Sequence, residues 1–187
     1  SYTLVLANNG SVYGCGINTN GNLGDGTTTT RSSYTPMILN GALAGKTIVK
    51  VFCATAHSMV LTSDGLAYGT GSSTNGLLGN SAATSPQLQP IALDVSGVLA
   101  GKFISQLSIT ASGSFALTSD NLLYSWGPNT CVVLFFIFEN FLIFFFATKK
   151  TRNCILGADS CSVYVAPTAV NMTAMFGKTI VKIAAGV

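Results

Sequence analysis

Charged side chains are scarce in this sequence of 187 residues. Asp, Glu, Lys and Arg make up 8% of it, against about 25% in an average soluble domain. The net charge is +3, and no block of like charge occurs outside one apolar segment. The sequence therefore lacks the basic patch typical of nucleic-acid binding. Because 48% of the residues are hydrophobic, the low charge does not indicate disorder.

Side chains that carry chemistry are equally scarce. His57 is the only histidine, so neither a catalytic triad nor a multi-histidine metal site is expected. Asp25 and Asp64 precede glycine, where aspartate serves turn geometry, and Asp120 repeats the position of Asp64. No acid/base pair stands out. We predict a protein that is not an enzyme and has no cofactor or bound metal.

The five cysteines include no C-x-x-C pair and their number is odd, which argues against a zinc site or a disulfide framework. Free thiols buried in the core are expected, and a bridge between Cys131 and Cys154 is the alternative. No leader follows Ser1. The sequence starts and stops inside apolar segments, so a fragment of one longer domain, spanning residues 1–187, is expected.

Internal repeats organise the sequence. YTLVLANNGSVYGCG at Tyr2–Gly16 matches HSMVLTSDGLAYGTG at His57–Gly71 and GSFALTSDNLLYSWG at Gly113–Gly127. The spacing is about 55 residues. A second motif, LAGKTIVKV at Leu43, recurs as LAGKFISQL and MFGKTIVKI. We interpret residues 2–56, 57–112 and 113–187 as three units.

Each unit is predicted to contain four short strands, because its apolar runs are short and bounded by glycine and asparagine. In the first unit we expect strands at Thr3–Ala7, Ser11–Gly16, Tyr34–Leu39 and Thr47–Ala54. The Asn9-Gly10 pair predicts a two-residue hairpin turn. Glycines in the second strand, at Gly14 and Gly16 and again at Gly69 and Gly71, predict a bulge or close backbone approach.

Four-stranded units at this period predict an all-β fold, namely a partial β-propeller of about three blades. Three blades cannot close a ring, so sheet edges would stay open. A solenoid is the less favoured alternative. No amphipathic helix is predicted.

The third unit contains an apolar insertion at about residues 131–152. The segment Asn129–Gly157 holds seven of the eleven phenylalanines. Gly127 and Gly157 lie much farther apart than the corresponding Gly16 and Gly24. Three readings stay open: a retained intron or gene-model error, a surface loop presenting aromatic side chains to a partner or membrane, and a transmembrane helix over Cys131–Ala147.

The repeated motifs resemble the regulator of chromosome condensation repeat. The pattern His-Ser-x-x-Leu-Thr-x-Asp-Gly-x-x-Tyr-x-x-Gly, followed by Asn-x-x-Gly-x-Leu-Gly, is clearest at residues 57–79, and Trp126-Gly127 resembles the family's Trp-Gly signature. We take the following residues as the structural signature of the repeats: Gly16, Gly24, His57, Asp64, Gly65, Gly71, Gly79, Trp126, Gly127 and Gly157.

The resemblance implies a seven-bladed propeller that acts as a protein–protein interaction module. We expect a protein partner to bind through blade-end loops at Ile17–Arg31, Ser72–Ser85 and around the insertion. One alternative is guanine-nucleotide exchange on a small GTPase, and another is an extracellular repeat or adhesion protein. Nucleic acid is not expected as a partner, nor is a membrane unless the insertion is real. The working expectation is a cytoplasmic or nuclear protein.

Two further motifs are interpreted as structural. GALAGKT at Gly41–Thr47 resembles a phosphate-binding P-loop but has three residues, not four, between its first glycine and the Gly-Lys pair. The equivalent lysines Lys46, Lys102 and Lys178 are predicted to be solvated cations that discourage edge-to-edge pairing of strands.

Overall fold

The computed structural model describes residues 1–128 and the strands at 133–138, 141–146, 164–169 and 182–186. Within these residues the chain forms strands and two short 3-10 helices, Gly41–Leu43 and Thr74–Gly76. The all-β prediction is therefore confirmed. No helix in this part of the chain is long and apolar enough to cross a bilayer.

The strands form four antiparallel sheets. The first sheet contains β1 (Tyr2–Leu6), β2 (Val12–Gly16) and β3 (Arg31–Pro36). The second contains β4 (Ile48–Cys53), β5 (His57–Thr62), β6 (Ala67–Gly71) and β7 (Gln87–Ala92). The third contains β8 (Ile104–Thr110), β9 (Gly113–Thr118), β10 (Leu123–Gly127) and β13 (Tyr164–Ala169). The fourth contains β11 (Val133–Phe138), β12 (Phe141–Phe146) and β14 (Lys182–Gly186), in the order β12-β11-β14.

The sheets are out of phase with the sequence units by one strand. The strand expected at Thr47–Ala54 is β4, and it pairs with β5 of the following unit, not with its own. The strand expected at Tyr34–Leu39 is also displaced, because β3 runs from Arg31 to Pro36 and its proline pairs with Tyr13. The division of the chain into units 2–56, 57–112 and 113–187 stays a proposal.

The insertion does not interrupt the pairing of the third sheet. β13 lies beyond it in sequence and pairs with β10 as β7 pairs with β6. The transmembrane-helix reading disagrees with the structure, which has strands β11 and β12 where the helix would lie. The intron and surface-loop readings stay hypotheses.

The middle strands of the sheets are buried on both faces. In β5, Met59 and Leu61 belong to the core between the second and third sheets, whereas Val60 belongs to the core between the first and second. Every residue of β5, β6, β9 and β10 is buried. These strands carry buried side chains on both faces, polar ones included, because a neighbouring sheet covers each face. The sheets thus pack side by side, and β4 contacts both β1 and β8.

The hairpin turns are one residue longer than predicted. Between β1 and β2 the Gly10 amide donates to Ala7 O at 3.0 Å, and Ala7 N donates to Ser11 O, which gives a three-residue loop. Gly10 has φ +85. In the third sheet Asn121 has φ +64 at the equivalent place, and asparagine tolerates that conformation better than most residues. The bulges predicted at Gly14–Gly16 and Gly69–Gly71 are confirmed as register shifts in β2 and β6.

Candidate functional site

Two of the loops expected to touch a partner lie at one end of the sheets, which we call the loop end. The chain leaves β2 into residues 17–30 and leaves β6 into residues 72–86. Gly26 N donates to Leu88 O at 3.1 Å, and Thr70 Oγ1 donates to Gly21 O at 2.9 Å, so the first loop is bonded to the second sheet. β10 runs in the same sense as β2 and β6 within its sheet, so the chain leaves Gly127 toward the insertion at the corresponding end.

A polar network fixes the first loop. The Asp25 side chain is 2% exposed, and its Oδ1 accepts hydrogen bonds from Asn18 Nδ2 at 3.0 Å and from the amide and hydroxyl of Thr27. Arg31 Nε and Nη2 both reach Asp25 Oδ2 at 2.7 Å. Burial raises the pKa of Asp25, but the hydrogen bonds from Arg31 and Thr27 outweigh it and hold the pKa below its usual value. Asp25 thus organises the whole loop, where the sequence suggested only a local turn.

The second loop is fixed by an amide. Asn80 occupies the position that Asp25 has in the first loop, and its Nδ2 donates to Ala92 O at 2.7 Å. Its Oδ1 accepts from the Ala82 amide at 2.8 Å. The two loops therefore have similar anchors, one charged and one neutral. Both hold exposed Ser and Thr side chains in place rather than leaving them free.

The described part of the loop end has no unbalanced charge. Asp25 and Arg31 are the only charged residues in the segments 17–31, 54–56, 72–86 and 111–112, and they pair with each other. Hydroxyl and amide groups dominate the exposed surface of these segments. Such a surface offers hydrogen bonds and shape, but it exerts no long-range charge attraction.

The opposite end of the sheets carries paired charges, because the lysines predicted to be solvated also form ion pairs there. Lys46 Nζ lies 2.6 Å from Asp64 Oδ2, and Lys102 pairs with Asp120 in the next sheet. Thr62 Oγ1 also donates to Asp64 at 2.6 Å. The hydrogen bonds from Lys46 and Thr62 lower the pKa of Asp64. Lys46 and Lys102 thus connect the segments that precede β4 and β8 to the next hairpin turn of the same sheet. Lys178 lies outside the described residues.

A recurring set of hydrogen bonds joins neighbouring sheets. Ser58 Oγ donates to Asn22 O at 2.7 Å, and the equivalent Ser114 Oγ donates to Leu77 O at 3.3 Å. Tyr2, the first residue of β1, also takes part, because its OH lies 2.8 Å from Ser58 Oγ in the next sheet. Sequence reasoning missed these serines, although their recurrence at the repeat spacing was a usable signal.

His57 occupies in the second sheet the place that Tyr2 has in the first. Its Nε2 lies 3.3 Å from Ser114 Oγ. Ser114 Oγ also lies 3.3 Å from Leu77 O. Nδ1 is buried and has no partner among the residues that the structure describes. Burial lowers the pKa of His57 to about 4, which keeps the ring neutral at pH 7.

Trp126 packs at the same contact between the second and third sheets. It is completely buried, and its Nε1 donates to Leu77 O at 3.0 Å. In the preceding sheet Thr70 occupies its position and donates to Gly21 O. The indole therefore acts as an anchor between sheets, and it is not exposed as a ligand platform.

The signature glycines lie where the backbone takes left-handed φ values. These are Gly16 (+111), Gly71 (+105) and Gly127 (+105) at strand ends, Gly24 and Gly79 (both +65) in the loops, and Gly65 (+75) in a hairpin turn. A Cβ on Gly79 would lie 2.9 Å from Trp126 Cδ1 and closer still to Leu93 Cδ1. Gly157 lies outside the described residues. The role of the ten signature residues stays a prediction.

Replacing Gly79 by alanine tests whether close approach or backbone conformation makes glycine necessary. We expect Gly79→Ala to lower the free energy of unfolding by on the order of 3 kcal/mol, because left-handed strain and overpacking against Leu93 and Trp126 add. Gly101→Ala is the matched control, since Gly101 has φ +69 and no atom within 4 Å of the added Cβ. The control should lose about 1 kcal/mol in urea unfolding; equal losses would contradict the packing argument.

Several alternatives from the sequence can now be placed. The P-loop-like segment begins with the 3-10 helix Gly41–Leu43 and continues into strand β4, not into a phosphate-binding helix. Cys15 and Cys53 are free thiols as expected, but Cys15 is half-buried and Cys53 is exposed, so the prediction of buried thiols is wrong for both. The candidate bridge Cys131–Cys154 lies outside the described residues. Among the residues that are described, no three metal-ligating side chains come together.

Comparison with known proteins agrees with this geometry. Residues 9–61 match the profile of the regulator of chromosome condensation (RCC1) repeat. The chain is 34% identical over 128 residues to the ultraviolet-B receptor UVR8 of Arabidopsis thaliana, covering 68% of this chain and 28% of that protein. It is 32% identical over 126 residues to the RCC1-like G exchanging factor-like protein of Mus musculus, covering 67% and 26%. It is also 34% identical to the serine/threonine-protein kinase Nek9 of Xenopus laevis, of which it covers 11%.

Solved structures show the same fold. Human WBSCR16 superposes with a TM-score of 0.68 at 23% identity, over 93% of this chain and 36% of that one. Prp20p from Saccharomyces cerevisiae superposes with a TM-score of 0.65 at 16% identity, over 92% and 37%. The chain thus spans 28% and 26% of the plant and mouse relatives and 36% and 37% of the two solved chains. Residues 9–61 carry the regulator of chromosome condensation repeat, and the sheets of the chain have the fold of part of the β-propeller seen in Prp20p.

Proposed function

We propose that this chain is a protein-binding module whose loop end contacts the partner, with no chemistry of its own. The observation that carries the proposal is that the backbones of the loops at 17–31 and 72–86 are fixed by hydrogen bonds. Buried Asp25 and half-buried Asn80 fix their backbones, so little conformational entropy is lost when a partner binds. Their exposed hydroxyls supply hydrogen bonds whose geometry is already set.

The proposal is supported by the relatives. Yeast Prp20 has been crystallised bound to Kap60, and Prp20p has binding properties to Gsp1p and histones. These relatives support the general class of function proposed here, which is the binding of another protein.

Arginine substitutions at the two ends of the sheets test where a partner binds. Thr29→Arg with Ser81→Arg places two bulky charges on exposed positions of the loop end. Asn40→Arg with Ala100→Arg is the matched control and places the same charges on exposed positions of the opposite end. We expect the loop-end variant to lose at least tenfold in affinity for partners captured by the unchanged chain, because charge and bulk disrupt a fitted uncharged surface.

The measurement is quantitative affinity capture followed by titration of each captured protein. Both variants should melt at the temperature of the unchanged chain, which shows that the sheets are intact. The loop end would be excluded as the binding surface if the opposite-end variant lost the same partners. It would also be excluded if neither variant lost them.

Guanine-nucleotide exchange on a small GTPase is the second candidate. It is supported by the name of the mouse relative, an RCC1-like G exchanging factor-like protein. Exchange is itself a binding function, since the exchange factor stabilises the nucleotide-free partner. Release of a fluorescent guanine nucleotide from a panel of purified small GTPases decides it, and no acceleration by the chain on any member would exclude this candidate. The extracellular alternative stays a prediction.

A further inference from the structure

A cavity opens at the loop end between β1, β4 and β8, which belong to the first three sheets. Its walls are Ser1 and Tyr2 at the start of β1, residues 53–55 where β4 turns into β5, and residues 109–111 where β8 turns into β9. Its volume is about 400 Å³, within the range of about 300–1,000 Å³ that is typical of binding pockets. A cavity of this size can hold one large side chain.

The walls of the cavity are fixed by hydrogen bonds within the protein. Tyr2 OH donates to His57 O at 2.6 Å and accepts from Ala54 N at 3.2 Å. Thr110 Oγ1 donates to Gly113 O at 3.0 Å. Because these groups are held before any ligand arrives, little conformational entropy is lost when the cavity is filled.

The cavity walls carry no charged side chain. Asp, Glu, Lys, Arg and His are absent from residues 1–2, 53–55 and 109–111. Ala54, Ile109 and Ala111 contribute apolar surface. A charged side chain that entered would lose its water and meet no side chain of opposite charge, which is costly. The walls therefore favour an uncharged occupant.

Tyr2 favours an aromatic occupant over an aliphatic one. The Tyr2 hydroxyl is held by His57 O and Ser58 Oγ of the second sheet, so the position of its ring is set. Aromatic rings pack against one another in offset or edge-to-face arrangements, which stabilise the contact beyond the burial of area. Trp and Tyr are also enriched among the side chains that dominate protein interfaces.

The cavity is continuous with the two loops that are proposed to bind a partner. Ile17 N donates to Ser1 O at 3.1 Å, and Ser72 N donates to Ala56 O at 2.9 Å. Ile17 and Ser72 are the first residues of these loops, so each loop begins beside a wall of the cavity. A protein that contacts both loops would therefore lie over the opening of the cavity.

We propose that this cavity receives an uncharged aromatic side chain of the protein that binds the loop end. The inference rests on the proposed function, and it adds the chemical class of the residue by which the partner is anchored. The partner presents this side chain on a protruding segment, because the cavity lies between the ends of three strands.

Titration of the full chain with N-acetyl-tryptophanamide tests the cavity without a partner protein. In backbone amide NMR spectra we expect saturable shifts centred on residues 1–2, 53–55 and 109–111. N-acetyl-lysinamide and N-acetyl-alaninamide are the matched controls, one charged and one small, and neither should cause saturable shifts. No binding of the tryptophan compound at these residues, or equal binding of the lysine compound, would overturn the proposal.

Two variants fill the cavity from different walls. Ala111→Trp should weaken binding of N-acetyl-tryptophanamide, and of captured partners, by roughly tenfold or more. Ala100→Trp is the matched control, because Ala100 is exposed at the opposite end of the sheets, and it should bind as the unchanged chain does. Thr55→Trp fills the cavity from the second sheet and should have the same effect as Ala111→Trp. Melting temperatures equal to that of the unchanged chain show which variants are folded.

The outcomes separate this inference from the proposed function. If folded Ala111→Trp and Thr55→Trp both bind the tryptophan compound or the captured partners normally, the cavity is not the anchoring site and the inference is wrong. The proposed function would still stand if Thr29→Arg with Ser81→Arg lost those partners. That pair lies outside the cavity walls, so it should leave the binding of N-acetyl-tryptophanamide unchanged.

Discussion

A Trp126→Ala variant is expected to lose about 3–5 kcal/mol of unfolding free energy. The indole is completely buried between the second and third sheets, in the core that also contains Leu93 and Ile104. Truncation leaves a large cavity in that core, and it also removes the donor to Leu77 O. Because domains of this kind are stabilised by only about 5–15 kcal/mol, the variant should be close to unfolding at 37 °C.

Urea unfolding followed by circular dichroism measures the loss, since the variant has no tryptophan left for fluorescence. Tyr34→Ala is the matched control, because Tyr34 is 57% exposed, the highest fraction among the large apolar side chains that the structure describes. Its change should stay within about 0.5 kcal/mol. Trp126→Phe should fall between the two, because it keeps most of the apolar volume and loses the hydrogen bond. Similar losses for Trp126→Ala and Tyr34→Ala would contradict the assignment of Trp126 as the anchor between the second and third sheets.

Lowering the pH from 7 to 5 is expected to destabilise the protein by about 2 kcal/mol through His57 alone. Burial lowers the pKa of His57 from 6.5 to about 4 in the folded state. The unfolded chain therefore binds a proton between these values that the folded chain does not bind, and stability rises with pH in that window. The contribution is complete above pH 6.5 and is lost as the pH falls towards 4.

Since His57 is the only histidine, one substitution isolates the effect. His57→Gln keeps an amide that can donate to Ser114 and removes the titration. The free energy of unfolding of this variant should be nearly flat between pH 7 and 5, whereas that of the unchanged chain should fall. The described aspartates do not confuse the comparison, because hydrogen bonds hold the pKa values of Asp25, Asp64, Asp94 and Asp120 below their usual value and so below this pH window. Parallel slopes for the two proteins would show that His57 is not the group responsible.

The sequence predicted the candidate loops but not how they are held. Ser, Thr and Asn between apolar runs identified the segments after β2 and β6 as loops. Asp25 was interpreted only as a turn residue. Its partners Asn18 and Arg31 are seven and six residues away in sequence, and they reach Asp25 only because the loop folds back on itself. The bonds from Ser58 and Ser114 were missed for the same reason, since their acceptors belong to the preceding sheet.

The sequence by itself determined most strands of residues 1–128 and the glycine positions at turns and bulges. Each of these depends on a few adjacent residues: on apolar runs, on turn chemistry, and on backbone angles that only glycine or asparagine takes easily. The tertiary structure alone decided which strand pairs with which. β4 joins the following sheet, β13 completes the third sheet across the insertion, and β11 pairs with β14. Every strand offers the same backbone hydrogen-bonding groups. Which two strands pair therefore depends on which edges lie side by side in the fold, and the sequence of a single strand does not specify this.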